Sequence, residues 1–429
     1  MGEFMKDFIK FIDESVTAFQ AIDSISKILK KEGYEELDET KPYKIVKGHK
    51  YFITRNGSSV IAFNVGKKLT NPSLQVVASH SDCPSFKVKP EAFIFEKDYL
   101  KLNTEIYGGP IYYPWLDRPL SLAGRAILKK GNTIKTIGYV DEEPFCVIPS
   151  VAIHQNKDVN NELKLNPQID LLPLVSTDKA DIKEYLCSKL KVKKEDVLGF
   201  DLYLYPIQKA FNWGMNKEFI SSFHIDNLEC AYTTLCGFVN NFNDENINIY
   251  CCFDNEEVGS LTRQGADSNF FELSLRRISE SLKLDYYSLL ANAMLLSCDN
   301  AHALHPNHPE KSDPVNRPLM NKGVVIKYNA NQSYTSDGLS SALLKSLMDK
   351  NKLPYQYFAN RSDSRGGSTL GNISNAHVSL LSVDIGLAQL SMHSPLETAG
   401  VKDIDYMIKT IKAFLKAHLT IKDNTYELK

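Results

Sequence analysis

Imidazole and carboxylate side chains recur in this sequence where short apolar runs end. The runs at 74–78, 247–253 and 293–297, and a last one that begins at Ile385, have the composition of buried strands. Open α/β sheets build their sites at the carboxyl ends of such strands. Imidazoles and carboxylates that converge there bind metals, so the first hypothesis is a metal-dependent hydrolase with more than one metal ion. The polar residues that follow the runs are His80 and Asp82, Glu256 and Glu257, Asp299, and His393.

His80 and Asp82 are two residues apart in a segment that leaves a predicted strand. Alternate residues of an extended chain share a face, so the two side chains can lie together. His80 can bind a metal while Asp82 accepts a hydrogen bond from the other ring nitrogen. The alternative is a hydrogen-bonded surface turn.

Glu256 and Glu257 are adjacent, and neighbouring residues of an extended chain point in opposite directions. One glutamate can therefore bind a metal while the other takes a proton from water. The alternative for such a pair is a solvated helix face.

Asp226 precedes a predicted helix at 227–238. It can cap the helix N-terminus, or it can bridge two cations with both carboxylate oxygens. Both roles remain open from the residues alone.

Two further segments have the composition of a site. Residues 297–308 contain Asp299 and the histidines 302, 305 and 308, a density that favours metal binding or catalysis. Residues 360–369 form a glycine-rich loop without the G-K-[ST] ending of a phosphate loop. We interpret it as backbone shaped for close approach to substrate, with an ordinary tight turn as the alternative.

The composition excludes several classes of protein. The 429 residues are 43% hydrophobic and carry a formal net charge of −2, which favours a two-domain globular protein and argues against nucleic-acid or membrane binding. The eight cysteines form no C-x-x-C pair, and the first residues lack a signal-peptide core. We therefore expect a cytoplasmic protein with free thiols.

The pattern of the chain changes twice. An α/β pattern, with strands predicted at 51–61 and 74–78, occupies residues 1–85 and returns at 223–429. Between them, residues 86–222 are rich in proline, glycine and short β-type runs. We predict an α/β catalytic domain in two sequence pieces, with a β-rich domain inserted between them.

Six motifs in order give the chain a family resemblance. They are H-S-D, H-I-D-N-L, D-N-E-E-V-G-S, S-C-D-N-A-H-A-L-H-P-N, N-R-S-D-x-x-G-G-S-T-L-G and L-S-M-H-S-P-L-E-T-A-G. Together they resemble the aspartyl aminopeptidase family, cytosolic aminopeptidases with two zinc ions, and the match runs nearly end to end. The resemblance implies a mixed-sheet catalytic domain like that of zinc exopeptidases.

The resemblance also implies roles for individual residues. His80, Asp226 and Asp299 would hold one metal ion, with Asp226 bridging to a second ion that Glu257 and His393 complete. Glu256 would be the general base, with Asp82 beside His80. The implied substrate contacts are His305, Lys327, Gly366, Gly367 and Ser368. Zinc is the expected metal, although manganese and cobalt suit the same ligands.

The family implies an assembly as well. Residues 86–222 would mediate dimer contacts, and dimers would assemble into a dodecamer.

Three residues depart from the family pattern. Tyr113 stands where a histidine often reaches a neighbouring subunit's active site, His224 replaces an arginine, and Ser312 replaces a histidine. None of them is a proposed ligand or base, so the departures bear on specificity and on contacts between subunits.

The leading functional hypothesis is an aminopeptidase that hydrolyses the N-terminal residue from peptides, with a preference for Asp or Glu in that position. A broad or neutral preference is the alternative for specificity. A metal-dependent deacylase or carboxypeptidase of the same fold is the runner-up, and a self-assembling shell protein with a vestigial site is the third hypothesis.

Overall fold

The computed structural model describes residues 3–364, 366–367, 369–423 and 425–429. Its strands in chain order are β1 (Glu35–Glu36), β2 (Lys50–Arg55), β3 (Ser59–Val65), β4 (Ser73–His80), β5 (Ser85–Glu96), β6 (Tyr99–Tyr107), β7 (Leu120–Lys130), β8 (Thr133–Val140), β9 (Leu174–Ser176), β10 (Val197–Pro206), β11 (Phe211–Trp213), β12 (Phe219–Ser222), β13 (Asn246–Phe253), β14 (Ala293–Cys298), β15 (Ala301–His302), β16 (Val324–Tyr328), β17 (Tyr355–Ala359), β18 (Leu381–Gly386), β19 (Ala388–Leu390), β20 (Glu397–Gly400), β21 (Leu419–Lys422) and β22 (Thr425–Leu428). Its α-helices are α1 (Glu3–Glu14), α2 (Ala18–Lys31), α3 (Ile182–Leu190), α4 (Ile225–Phe238), α5 (Phe270–Leu282), α6 (Tyr286–Ala291), α7 (Gly338–Lys350), α8 (Leu370–His377) and α9 (Val401–Lys416).

A mixed β-sheet lies at the centre of the molecule. Its strand order is β1-β2-β3-β13-β4-β14-β18-β16-β17. The middle strands β13, β4, β14 and β18 run parallel to one another, whereas β3 and β16 flank them in the antiparallel sense. The predicted α/β fold with a mixed sheet is therefore confirmed.

Helices cover both faces of this sheet, which explains why its middle strands are apolar runs without alternation. Every residue of β4 and of β13 is buried. Val77 and Tyr250 belong to the core under α1, α2, α4, α7 and α9, whereas Val76 and Ile249 belong to the core under α5, α6 and α8. In the described part of the chain, no helix is both long enough and apolar enough to cross a membrane.

The predicted strand at 51–61 is a hairpin instead. Strands β2 and β3 pair in the antiparallel sense, with Lys50 opposite Asn64. Asn56 and Gly57 between them both have positive φ, at 57° and 66°. An Asn-Gly pair in this conformation makes the tight turn typical of two-stranded hairpins, a local signal that the apolar pattern concealed.

A second, antiparallel sheet has the order β8-β7-β10-β5-β6-β9. It has an apolar core of its own, which includes Trp115, Leu122, Leu202 and, from α3, Leu186. Strands β11 and β12 fall within the expected insertion, but they belong to a different sheet. There β11 pairs with β12, β12 pairs with β20, and the sheet also contains β19 and β15. The inserted domain at 86–222 stays a prediction.

Close packing of α4 against α9 yields a test of the core. A Cβ atom added at Gly237 would lie 2.5 Å from Cγ2 and 2.6 Å from Cβ of Ile411. We expect Gly237→Ala to lower the free energy of unfolding by about 1–2 kcal/mol, because overpacking outweighs the gain in helix propensity. The measurement is thermal unfolding at fixed protein concentration. Gly338→Ala is the control, because nothing lies within 4 Å of its added Cβ, and equal stabilities would contradict this packing.

Candidate metal centre

Strand register brings the predicted metal ligands to one edge of the central sheet. Phe253, the last residue of β13, lies opposite His80, the last residue of β4. Ser297 of β14 lies opposite Ala78 on the other side of β4. The segments that leave these strands carry Glu257 and Asp299, and they therefore emerge beside His80.

Two imidazoles and three carboxylates converge there. Nε2 of His80 lies 3.6 Å from Oδ1 of Asp226 and 3.6 Å from Oδ1 of Asp299. Nε2 of His393 lies 3.5 Å from Oδ2 of Asp226 and 3.5 Å from Oε1 of Glu257. The two oxygens of Asp226 therefore face different histidines.

The hydrogen bonding of Asp226 bears on its two possible roles. Its buried Oδ1 accepts no hydrogen bond from the described residues. A carboxylate that caps a helix would accept one from a backbone N–H group. Asp226 is thus oriented toward the histidines instead.

The donor set fits a divalent cation. One ligand atom each from His80, Asp226 and Glu257 lies within 4.8 Å of the other two. Neutral imidazole nitrogen and carboxylate oxygen are the ligands that zinc and similar ions take. The unsatisfied Oδ1 of Asp226 is a lone-pair donor that such an ion would engage.

Asp82 supports the site in a way that the sequence indicated only in part. Nδ1 of His80 lies 3.1 Å from the backbone oxygen of Asp82 and 3.5 Å from its Oδ1. The carboxylate accepts hydrogen bonds from the backbone N–H groups of Glu256 and Glu257, at 3.1 and 3.2 Å, and from the hydroxyl of Tyr107 at 2.7 Å. Asp82 therefore fixes the segment that carries both glutamates.

Sequence reasoning missed Glu397. This buried carboxylate accepts a hydrogen bond from the backbone N–H of Asp226 at 2.8 Å and another from that of His393 at 2.6 Å. The only signal was its place in the last of the six motifs, which says nothing of a role.

The pKa values of both imidazoles are raised by their surroundings. Burial alone would lower the pKa of His80, but the neighbouring carboxylates of Asp226, Asp299 and Asp82 outweigh burial and raise the pKa well above its usual range. Burial also lowers the pKa of His393, yet Asp226 and Glu257 raise it to about 10. Protonated imidazoles would offset the charge of the surrounding carboxylates, and a divalent cation would displace those protons.

The carboxylates respond to burial and to one another. Burial raises the pKa of Glu256 to about 8, against the opposing effect of His80. Burial and the charge of Asp226 raise the pKa of Glu257 well above its usual range. Burial would also raise the pKa of Asp226, but the adjacent imidazoles of His393 and His80 hold it below its usual value.

These side chains line a cavity of about 500 Å³. The predicted site residues that line it are His80, Asp226, Glu256, Glu257, Asp299, Lys327, Gly367 and His393. His302, Tyr334, Phe358 and Met392 also line the cavity and were not among the predicted site residues.

The expected substrate contacts are only partly brought together. Lys327 is 2% exposed, and its Nζ donates to Oδ2 of Asp299 at 3.1 Å and to the backbone oxygen of Asn300 at 3.0 Å. His305 is not among the described residues that line the cavity, and its ring lies 5.1 Å from that of His308. His302, in the same histidine-rich segment, reaches the cavity in its place.

The glycine-rich loop approaches the site at Gly367, which lines the cavity. Gly366 packs against Asn360, where an added Cβ would lie 2.2 Å from Nδ2. Ser368, the remaining predicted contact, lies outside the described residues.

Comparisons with known proteins agree with this α/β site for a metal-dependent hydrolase. The profile of the family described as aminopeptidase I zinc metalloprotease (M18) matches residues 11–415. A probable M18 family aminopeptidase 2 from Clostridium novyi (strain NT) is 44% identical over 425 residues, which cover 96% of this chain and 98% of the relative.

Solved structures share the fold. A chain of the Ape4 and Nbr1 complex has a TM-score of 0.92 at 31% identity, covering 96% of this chain and 85% of that chain. A chain of the S. cerevisiae mApe1 dodecamer has a TM-score of 0.85 at 27% identity, covering 96% of each.

The chain belongs to the M18 family of aminopeptidases. It is a hydrolase of peptide bonds that depends on a divalent metal, and the family is one of zinc metalloproteases. The aminopeptidase prediction is therefore confirmed, and the family assignment favours it over a carboxypeptidase, a deacylase or a shell protein.

Proposed function

We propose that this aminopeptidase works with two divalent metal ions, zinc in the first instance, that share Asp226. His80 and Asp299 would complete the first position, and Glu257 and His393 the second. The observation that carries the proposal is the orientation of Asp226, whose Oδ1 faces His80 at 3.6 Å while its Oδ2 faces His393 at 3.5 Å. Divalent cations there would supply Lewis acidity, which polarises a carbonyl group and makes water more acidic.

Glu256 is the proposed general base. It lines the same cavity as the proposed ligands, and its backbone N–H donates a hydrogen bond to the Asp82 carboxylate at 3.1 Å. Its carboxylate would take the proton that the attacking water loses and deliver it to the nitrogen of the departing peptide. The bond between the carbonyl carbon and that nitrogen breaks, which releases the first amino acid.

Glu256→Gln tests this division of labour. Glutamine cannot accept the proton, so kcat should fall by roughly a hundred- to ten-thousand-fold while metal content stays at the wild-type level. Steady-state kinetics and elemental analysis are measured on the same preparation. Glu272→Gln, on the surface of α5, is the control. Loss of metal together with activity would make Glu256 a ligand instead.

An acidic first residue of the substrate is the proposed preference, with Lys327 as its cation. An ammonium group has three N–H donors, and Lys327 uses two of them on Asp299 and Asn300. It lines the cavity, so the third donor is placed to meet a substrate carboxylate. Its ammonium also lies 5.1 Å from the centre of the Tyr334 ring, which restricts its position.

Lys327→Met should therefore reduce kcat/KM for Asp and Glu substrates more than for Leu. Because Lys327 also holds Asp299, all rates should fall, and the ratio of Asp to Leu carries the information. A lost buried charge pair is worth about 2 kcal/mol or more, so the ratio should drop roughly 30-fold. Lys311→Met, at an exposed position, is the control. A wild-type preference for Leu with an unchanged ratio in the variant would refute the acidic pocket but not the aminopeptidase.

We also propose a homo-oligomer, a dodecamer built from dimers, with the insertion at 86–222 as the dimer interface. One solved relative is an mApe1 dodecamer. Strand β8 ends the second sheet at one edge, and its Ile134 and Ile137 are 68% and 42% exposed. Exposed edge strands with apolar side chains are typical of surfaces that another chain covers.

Light scattering at micromolar concentration tests the assembly. The expected mass is twelve times the 48.4 kDa of one chain. The double variant Ile134→Lys, Ile137→Lys should shift the mass downward, because it places two charges in the proposed interface. A stable wild-type monomer would refute the proposal.

A cytoplasmic location is proposed with it. In the part of the chain that the structure describes, all eight cysteines are free. Adjacent Cys251 and Cys252 are buried in β13, where burial raises the pKa of the Cys252 thiol to about 12. Buried thiols of this kind are typical of proteins that remain in a reducing compartment.

A further inference from the structure

The buried side chain of Glu397 forms hydrogen bonds with two segments that carry proposed metal ligands. Glu397 begins β20 and is 2% exposed. Its Oε2 accepts the backbone N–H of Asp226, at the start of α4, and its Oε1 accepts the backbone N–H of His393, in the turn after β19. Both carboxylate oxygens are thus used on the main chain of ligand residues.

The contacts of Glu397 support the second of the two proposed cation positions more than the first. Asp226 is shared by both positions, whereas His393 belongs to the second position alone, where its Nε2 lies 3.5 Å from Oδ2 of Asp226. The first position is supported by other groups: His80 ends β4, and Asp299 is held by Lys327 at 3.1 Å.

We propose that Glu397 is a positioning residue whose loss weakens cation binding at the second position more than at the first, because it holds His393 as well as the shared Asp226. The inference rests on the two-cation site proposed above. His393 is the ligand most in need of such support, because its side chain is 31% exposed, whereas that of His80 is 1% exposed. Its Nδ1 has a further contact, 3.0 Å from the backbone oxygen of Gly109.

Glu397→Gln is the informative substitution, because it keeps the shape of the side chain. The amide has one acceptor oxygen and one NH2 donor. It can accept from only one of the two backbone N–H groups, and its NH2 group then faces the other donor. Loss of such support behind metal ligands costs about 10- to 100-fold in metal affinity.

The matched control is a second buried carboxylate that binds only main chain. Asp403 in α9 is fully buried and accepts the backbone N–H groups of Asn321 and Gly323. Asp403→Asn therefore removes the same kind of interaction from a segment without proposed ligands. It should lower stability in a similar way and leave both metal affinities unchanged.

The experiment is a zinc titration of metal-free, full-length protein in competition with a chromophoric chelator. Wild type should bind two zinc ions per chain, and Glu397→Gln should bind one of them 10- to 100-fold more weakly, with a clearly smaller loss for the other. Glu397→Asp is the second variant. It keeps the charge, but its shorter side chain cannot reach both N–H groups, so the same selective loss is expected.

The outcomes separate the inference from the proposal beneath it. Wild type that binds a single zinc ion would refute the two-cation site. Wild type that binds two ions, with unchanged affinities in both Glu397 variants, would refute the role of Glu397. Equal weakening of both positions, or the same loss in Asp403→Asn, would also overturn it, because the effect would then be general stability.

Discussion

Negative charge concentrated in a buried place is the constraint on which this structure depends. The carboxylates of Asp226, Glu257 and Asp299 converge on the imidazoles of His80 and His393 within a single cavity wall. Carboxylates this close raise one another's pKa unless a cation lies between them. The same carboxylates raise the pKa of both histidines, so protonated imidazoles would supply that charge when no metal is bound. A metal ion supplies it better and must compete with those protons, which makes metal binding dependent on pH.

The remainder of the fold keeps these mutually repelling carboxylates close together. Parallel strands in matched register, with Phe253 opposite His80, bring the proposed ligands from distant parts of the sequence to one edge. Behind that edge, Asp82 and Glu397 accept backbone N–H groups of the segments that carry Glu257 and His393. Ligands fixed through their main chain keep their side chains free for the cation. Lys327 likewise donates a hydrogen bond to Asp299, a proposed ligand, and lines the cavity.

The part of this arrangement that follows from the sequence is the part encoded by local pattern. His80 and Asp299 could be located because buried parallel strands are apolar runs and sites form at their ends. The hairpin at Asn56 and Gly57 also had a local signal, but the apolar run around it concealed the turn. Glu397 could not have been found in this way. It acts on backbone atoms of residues remote in the chain, and neither spacing nor periodicity encodes that contact.

The central claim is that Asp226 is shared by two cations, and metal stoichiometry tests it most directly. Folded wild-type protein and Asp226→Asn would be equilibrated with zinc, dialysed and examined by elemental analysis, with circular dichroism as the check on folding. Two zinc ions per chain in wild type and fewer than one in the variant is the predicted result, because one amide cannot offset the repulsion of two ions. A variant that keeps both ions and loses only about 1 kcal/mol of stability would make Asp226 a helix cap and contradict the account.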